Sequence, residues 1–293
     1  MKIDFCIIGA PKCGTTSLAY FLSKNPQVDF CKIKEPFYFN QQSPKFNGVK
    51  SAKKFEKLFR NDGGLKGEGS TWYLYSEDAI ENILKHNPSA KFIVCVRDIV
   101  DAVVSWHGHM RLVGAEPEPD FVKAWQREPS EILKTRVYGT NEVLNYRKLF
   151  KLGTQVSKLL SKVDSTQVHF ISFNDLVQNT GKCYQSTLEF LGLEDDGRTE
   201  FPIKYPRVDT KSSIVRYLGS SISYQQRIYL TSVAIKAGVD LYDLYFKFNT
   251  SVASRPFINE KLREELNSYF SDELKLLHKY TEIDVVRGQY KNV

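Results

Sequence analysis

Short apolar runs alternate with amphipathic stretches along the first two thirds of the chain. The apolar runs predict β-strands at Ile3–Ile8, Leu65–Glu68, Phe92–Val96 and Gln167–Phe173. The amphipathic stretches predict helices directly after the first strand, with Leu18, Phe21 and Leu22 on one face, and at Asp78–His86, Ile99–Val113 and Asn141–Val163. Strands that alternate with helices and are apolar on both faces are typical of a parallel sheet covered on both sides. We therefore expect an α/β fold with a central parallel β-sheet flanked by helices.

The last third of the chain has a different pattern. Its apolar residues recur at helical spacing, which predicts helices over Ile222–Phe248 and Asn259–Tyr280. The preceding segment, Asp195–Ser213, contains two prolines and several basic residues, and a segment of this length without regular structure is either disordered or a functional lid. No internal repeat or low-complexity linker divides the chain. We therefore expect one domain over the whole chain, with the sheet in about 1–195 and a lid loop and helices in about 196–293.

Composition and charge exclude several classes of protein. Of the 293 residues, 42% are apolar and 26% are charged, which is ordinary for a folded domain and unlike a disordered or low-complexity chain. The 41 basic and 34 acidic residues give a net charge of +7, which favours anionic partners, but no run of five basic residues supports nucleic-acid binding. The five cysteines are scattered without CxxC spacing, so we expect neither a disulfide framework nor a metal site.

The chain also lacks the sequence features of a membrane or secreted protein. No stretch approaches the roughly 18 consecutive apolar residues that predict a membrane-spanning helix. The first apolar run is short, is interrupted by Asp4 and is followed by no small-residue cleavage pattern, which predicts a strand rather than a secretion signal. From these features we expect a cytoplasmic protein without a membrane partner.

The turn after the first strand has the chemistry of an anion-binding loop. Gly9 and Gly14 have the G-x4-G spacing of a phosphate-binding loop, whose backbone N–H groups close around an anion at a helix N-terminus. A nucleoside triphosphatase places its lysine directly after the second glycine, whereas here Thr15 follows Gly14 and the lysine is Lys12, inside the loop. The sequence thus predicts an anion site without the usual metal–nucleotide arrangement. The alternative is an ordinary strand-to-helix turn.

A second group of polar residues follows the Phe92–Val96 strand. Arg97 and Asp98 come directly after it, and Ser105 lies eight residues beyond Arg97, or about two helical turns. Ligands of open parallel sheets bind at the carboxyl ends of the strands, where Lys12 and Arg97 both fall. We therefore expect Arg97 and Ser105 to hold one phosphate. The alternative is a helix-start ion pair in which Asp98 is the N-cap.

Together these residues resemble the sulfotransferases that use 3′-phosphoadenosine-5′-phosphosulfate (PAPS), and most of all the heparan-sulfate-type and related bacterial enzymes. The matching segments, in the family's order, are Phe5–Ser17, Lys34–Phe39, Gly67–Tyr73, Val96–Asp98 with Ser105, and Phe173–Leu176 with Phe190–Leu193. The resemblance covers about residues 3–195 and weakens afterwards. It implies a single P-loop-like domain with a helical C-terminal third. It also implies transfer of a sulfuryl group from PAPS to a hydroxyl or amine, with release of adenosine 3′,5′-bisphosphate (PAP).

The resemblance further implies which residues hold the donor. These are Pro11, Lys12, Cys13, Gly14, Thr15, Thr16 and Ser17 at the 5′-phosphosulfate, and Arg97 and Ser105 at the 3′-phosphate. Lys211, in a basic loop further along the chain, is our own candidate for closing over PAPS. Lys12 also has a catalytic role, because it stabilises the charge that develops on the leaving phosphate. PAPS has about four negative charges, so it needs cations and N–H donors more than a metal ion. We therefore expect no metal in the site.

The resemblance assigns deprotonation of the acceptor to Glu35. A carboxylate performs this role if burial brings its pKa toward neutrality or if a lysine, here Lys34 or Lys32, orients it. The alternative is that Glu35 only pairs with a neighbouring lysine or caps a turn.

Three other side chains are alternative bases. His107 and His109 are imidazoles that titrate in the useful range, and His109 is the catalytic candidate of the two. Because they lie two residues apart on one predicted helix, they point in different directions, and we expect at least one to be structural. Glu68, at the end of a predicted strand, is a further candidate.

The sequence departs from the family pattern at two points. Gly69 stands where the heparan-sulfate-type enzymes often have a lysine, so one cationic contact to the sulfuryl group is expected to be missing. The glycine- and lysine-rich C-terminal lid of those enzymes has no clear counterpart, and Arg207–Lys211 is the nearest basic loop. Both departures concern the sulfuryl end of the site and its cover.

Two other functions remain as alternatives. A P-loop kinase for a small molecule agrees with the glycine spacing but not with the missing Gly-Lys-Ser/Thr sequence. A non-catalytic nucleotide-binding module is favoured only by the net charge. If the chain is a sulfotransferase, we expect its partner to be a small-molecule or saccharide acceptor, and whether it forms a homodimer is open.

Overall fold

A computed structural model describes residues 1–41, 48–132, 138, 140–202, 208–210, 222, 224–237, 239, 241, 244, 250–252 and 258–285. Its strands are β1 (Phe5–Gly9), β2 (Val28–Phe30), β3 (Leu65–Gly69), β4 (Lys91–Val96), β5 (Val168–Ser172), β6 (Val208–Thr210) and β7 (Thr250–Val252). Strands β1 to β5 form one parallel sheet in the order β2-β3-β1-β4-β5, and β6 pairs with β7 in antiparallel fashion. The predicted central parallel sheet is confirmed.

The edge strand β2 was not predicted from the sequence. It has three residues, and the middle one is Asp29, whose fully buried carboxylate accepts hydrogen bonds of 2.8 Å from the backbone N–H groups of Arg60 and Asn61. Lys66 Nζ lies 3.5 Å from the same carboxylate. These donors offset the cost of burying the charge. An acidic residue in so short a run removes the apolar signal by which a strand is found.

The helices cover the sheet and form most of the described part of the C-terminal third. They are α1 (Thr15–Ser23), α2 (Ala52–Glu56), α3 (Ala79–His86), α4 (Ile99–Leu112), α5 (Phe121–Gln126), α6 (Tyr146–Leu149), α7 (Leu152–Leu160), α8 (Phe173–Gln178), α9 (Thr180–Leu191), α10 (Tyr224–Lys236), α11 (Glu260–Tyr269) and α12 (Ser271–Thr281). Short 3₁₀ turns cover Pro129–Glu131, Glu142–Leu144 and Ser165–Gln167. The helices predicted at 78–86 and 99–113 are confirmed to within a residue at each end.

Two predicted helices are divided. The stretch 141–163 consists of a 3₁₀ turn, α6 and α7, because the Asn145 side chain accepts a hydrogen bond from the Lys148 backbone N–H at 3.1 Å and starts a new helix there. The stretch 259–280 is divided into α11 and α12 at the fully buried Phe270. Helix α10 occupies part of the stretch 222–248, and several residues of that stretch lie outside the described ones.

The C-terminal helices pack on helices that flank the sheet. Thr154 of α7 donates two hydrogen bonds of 2.8 Å to the Glu273 carboxylate of α12, one from its backbone N–H and one from its hydroxyl. Gly153 permits this approach, since a Cβ there would lie 2.3 Å from the Glu273 carbonyl oxygen. Within the described residues, no helix has the length and apolar character that a membrane span requires.

Candidate active site

The turn between β1 and α1 places a ring of backbone at the start of a helix. Gly14 is the N-cap of α1 and has φ 88°, a left-handed conformation that favours glycine, and a Cβ there would lie 2.6 Å from Leu176 Cδ2. Lys12 is half-buried and also left-handed, with φ 64°. Residues 15–17 form the first turn of α1, so their N–H groups lie at the positive end of the helix dipole. The turn has the geometry of an anion site.

Cys13 contributes its backbone rather than a reactive thiol to this loop. Its side chain is fully buried, and its Sγ donates to the Pro11 carbonyl oxygen at 3.4 Å. Burial raises the pKa of the Cys13 thiol to about 12, although the positive charges of Arg97 and Lys12 act in the opposite direction. The thiol is therefore protonated at neutral pH, and no nucleophilic role follows from its position in the loop.

Arg97 reaches the loop from the end of β4, the neighbouring strand. Its Nη1 donates to the Lys12 carbonyl oxygen at 3.2 Å, and its guanidinium carbon lies 4.2 Å from the centroid of the Phe173 ring. Its Nη2 is 3.6 Å from an oxygen of Asp101, one helical turn further on. The structure thus brings Arg97 and Lys12 together, as the positions of their strands in a parallel sheet predict.

The neighbours of Arg97 have separate roles. Asp98 is the N-cap of α4, where its Oδ1 accepts a hydrogen bond from the Asp101 backbone N–H at 2.8 Å. The N-cap role that the sequence offered for Asp98 is therefore confirmed. Ser105 is half-buried on α4, two turns beyond Arg97. Lys211, the residue proposed to close over the donor, lies outside the described residues.

Glu35 lies in the loop after β2, where two donors hold its carboxylate. Its Oε1 accepts hydrogen bonds from Thr71 Oγ1 at 2.7 Å and from Lys34 Nζ at 3.1 Å. Lys34 Nζ is also 3.5 Å from Thr15 Oγ1, at the start of α1. Lys34 therefore connects Glu35 to the anion-binding turn. The lysine pairing considered as an alternative role for Glu35 is present, and it also orients the carboxylate as a base requires.

The side chain of Lys34 passes over the backbone of Gly69. A Cβ at Gly69 would lie 3.3 Å from Lys34 Cε, closer than ordinary van der Waals contact. The absence of a side chain at this position therefore leaves space for a lysine from the loop that follows the neighbouring strand. Lys32, the other candidate partner of Glu35, is exposed, and its Nζ donates to the Phe59 carbonyl oxygen at 3.4 Å. Of the two lysines, Lys34 faces the site.

Glu68, a further candidate base, lies in the interior of the protein. Its side chain is fully buried, its Oε2 accepts a hydrogen bond from Ser70 Oγ at 2.9 Å, and its Oε1 has no hydrogen-bond partner among the described residues. Burial raises the pKa of Glu68 from 4.5 to about 8, and the charge of Glu35 acts in the same direction. A carboxyl group in this position is protonated at neutral pH and does not meet an acceptor from solvent.

The two histidines of α4 lie in different surroundings, as expected for residues two positions apart on a helix. The His107 side chain is buried, and its Nε2 lies 2.9 Å from the Glu118 carbonyl oxygen, which is a structural contact. His109 is half-buried, and burial lowers its pKa well below the usual range, with the charges of Lys12, Arg227 and Lys34 acting in the same direction. The His109 imidazole is therefore neutral at neutral pH. It lies near enough to Lys12 and Lys34 for their positive charges to affect its pKa.

Three residues near the site are not among the candidates named from the sequence. Thr71 donates a hydrogen bond to Glu35. Tyr138 is near enough to Glu35, and Arg227 to His109, for electrostatic interaction. Thr71 lies within the Gly67–Tyr73 segment but has no role assigned there. Tyr138 and Arg227 belong to no motif, and Arg227 comes from α10, far along the chain. Only a three-dimensional arrangement identifies them. Among the described residues, no group of three His, Cys, Asp or Glu side chains is placed to hold a metal ion.

A model of the sulfotransferase domain family matches residues 2–213. The chain belongs to this family. The chain is 28% identical over 161 residues to the membrane-associated sulfotransferase kil1 of Dictyostelium discoideum, a match that covers 53% of this chain and 33% of that protein. The chain therefore spans about a third of the length of this relative.

Solved structures have the same fold. A sulfotransferase from Alicyclobacillus acidocaldarius is 20% identical, with 97% of each chain covered and a TM-score of 0.69. A mouse sulfotransferase complexed with PAP is 17% identical, with 94% of this chain and 85% of the mouse chain covered and a TM-score of 0.51. Family membership favours sulfuryl transfer over the kinase and the non-catalytic module.

Proposed function

We propose that this protein is a PAPS-dependent sulfotransferase that acts on a small-molecule or saccharide acceptor. The observation that supports it most is the placement of Lys12 and Arg97 at one anion-binding turn, with Glu35 joined to the same turn by Lys34. The chemistry of this set fits the donor: two cations, hydroxyl groups and helix N–H groups meet a strongly anionic ligand. We propose that residues 11–17 hold the 5′-phosphosulfate, and that Arg97 and Ser105 hold the 3′-phosphate.

In this mechanism Glu35 accepts the proton of the acceptor hydroxyl. The hydroxyl oxygen then forms a bond to sulfur while the bond from sulfur to the bridging phosphate oxygen breaks, so that PAP leaves with an added negative charge. Lys12 stabilises that charge as it develops. Thr71 holds the Glu35 carboxylate in one orientation through its 2.7 Å hydrogen bond, which reduces the reorganisation needed for proton transfer.

Lys34 is proposed as a second cation at the sulfuryl group. Its ammonium group lies between Glu35 and Thr15, and its stem occupies the space beside Gly69, where related enzymes often have a lysine. In this proposal the cationic contact expected to be missing at Gly69 is supplied by Lys34, from the loop that follows the adjacent strand. In the donor complex, Lys34 would contact the sulfuryl oxygens while Glu35 faces the acceptor.

A ligand-binding comparison tests the proposed function. PAP without magnesium should raise the melting temperature of the protein, because binding to the folded state alone stabilises it. Magnesium-ATP should raise it much less, since the 3′-phosphate contacts are absent. The reverse order would favour the kinase. An assay with labelled PAPS and a panel of phenols, alcohols and sugars should then detect a sulfated product together with PAP.

A further inference from the structure

An acidic side chain lies beside the arginine that the proposed function assigns to the 3′-phosphate. Asp101 Oδ2 is 3.6 Å from Arg97 Nη2, and both side chains are only 12% exposed. Water therefore screens the interaction weakly. A carboxylate in this position competes with a phosphate for the guanidinium and repels the phosphate directly. A 3′-phosphate site with this acid beside it needs a further positive charge.

Arg263 supplies that charge from α11. Its Nη2 donates to Asp101 Oδ1 at 2.6 Å, and its Nη1 is 3.5 Å from Asp98 Oδ1. The contact of Asp101 with Arg263 is about an ångström shorter than its contact with Arg97, so Arg263 is its stronger partner. Arg263 also lies beyond residues 2–213, the part of the chain that the family model matches. The charge compensation therefore comes from outside the family's common core.

Arg97 is turned toward the loop. Its Nη1 donates a hydrogen bond to the Lys12 carbonyl oxygen at 3.2 Å, and its guanidinium carbon lies over the Phe173 ring, 4.2 Å from the centroid. These two contacts oppose movement of the guanidinium toward Asp101. Without Arg263, the Asp101 carboxylate would have Arg97 as its nearest cation among these contacts. The guanidinium would then be drawn toward the helix and away from the loop.

We propose that Arg263 is a positioning residue for the donor: it neutralises Asp101 and so leaves Arg97 available to the 3′-phosphate. It acts through these two side chains and not on the reacting atoms. The C-terminal helices are thereby coupled to donor affinity. The inference rests on the proposed function, because it assumes that Arg97 binds a phosphate of PAPS or PAP.

Calorimetric titration of the full chain with PAP tests the proposal. Arg263→Ala should weaken PAP binding about tenfold, because it leaves a weakly screened carboxylate beside the phosphate. The double variant Asp101→Asn/Arg263→Ala should bind within about threefold of the wild type, since the uncompensated charge is gone. In turnover assays the loss in Arg263→Ala should appear in KM for PAPS rather than in kcat.

A control distinguishes this effect from loosening of the C-terminal helices. Glu273→Gln weakens the contact of α12 with Thr154 without altering charge near Arg97, so PAP affinity should be unchanged. If Arg263→Ala fails to fold, the single variant Asp101→Asn tests the proposal instead. It should bind PAP at least as tightly as the wild type, and weaker binding would contradict the proposal.

The outcomes separate the inference from the proposed function. If the wild type binds PAP and Arg263→Ala binds it equally well, or if Asp101→Asn does not restore binding to Arg263→Ala, the role of Arg263 is wrong while the sulfotransferase function stands. If the wild type binds no PAP, the proposed function itself is wrong.

Discussion

The loop after β2 and the end of β3 each present a glutamate near the anion-binding turn, in opposite environments. The Glu35 side chain is 18% exposed and is held by a lysine and a hydroxyl group. Glu68 is fully buried, and its pKa rises to about 8 because burial disfavours the charged form. In the proposed mechanism the partly exposed Glu35, held by Lys34 and Thr71, is suited to accept a proton from an acceptor, whereas the fully buried Glu68 is not. Environment, more than proximity to the loop, determines which carboxylate is available for catalysis.

The two regions are also coupled. The negative charge of Glu35 raises the pKa of Glu68, and the positive charge of Lys34 lowers it. The hydrogen bonds around Glu68 have a structural role. Ser70 Oγ donates a hydrogen bond to Glu68 and accepts one of 3.1 Å from the Phe37 backbone N–H. Glu68 therefore stabilises the loop that holds Glu35 through hydrogen bonds, as a neutral carboxyl group does without the cost of a buried charge.

The largest effect is expected at Glu35. Glu35→Gln should lower kcat by about a hundredfold to a thousandfold, because the amide retains the shape of the side chain but does not accept a proton. PAP affinity, measured by calorimetry, should remain near that of the wild type. Glu189→Gln, at an exposed position on α9, is the matched control and should retain full turnover. Turnover retained in Glu35→Gln would move the base to His109.

An intermediate effect is expected at Lys34. Lys34→Met should lower kcat by about tenfold to a hundredfold, because it removes a cation from the sulfuryl group and a hydrogen bond from Glu35. Lys32→Met is the matched control, since it removes an exposed lysine two residues away that contacts Phe59 instead, and its turnover should be unchanged. Equal losses in the two variants would indicate a general effect of surface charge and contradict the role given to Lys34.

The sequence was sufficient for the parts of the site that lie at strand ends. Lys12 and Arg97 follow apolar strands, and in a parallel sheet the ends of neighbouring strands meet, so their contact could be predicted from order alone. Lys34 and Gly69 are different. Each has an ordinary local context, and only the pairing of β2 with β3 shows that the lysine fills the space left by the glycine.

Local sequence context also limits how much of the fold can be predicted. Long apolar strands such as β1 and β4 and the periodic helices α3 and α4 were predicted, because burial of whole faces determines their pattern. The breaks within 141–163 and 259–280 were not predicted, since a single cap at Asn145 or a buried Phe270 does not disturb the helical period. Arg263 illustrates the consequence, because its partners are 162 and 165 residues away in the sequence.

The smallest effect at neutral pH is expected at Glu68, and its pH dependence sharpens the contrast with Glu35. The pKa of Glu68 is about 8 in the folded protein and near 4.5 when exposed, so the folded state binds the proton more tightly, and this contribution to stability is lost as pH rises from about 5 to 8. Glu68→Gln lacks this proton, so its melting temperature should rise relative to the wild type between pH 5.5 and 8.5. Glu189→Gln removes a carboxylate at an exposed position and is the control for the loss of one acidic side chain. A constant difference in Glu68→Gln would mean that Glu68 is ionised in the folded protein and would contradict the role of neutral hydrogen-bonding group given to it here.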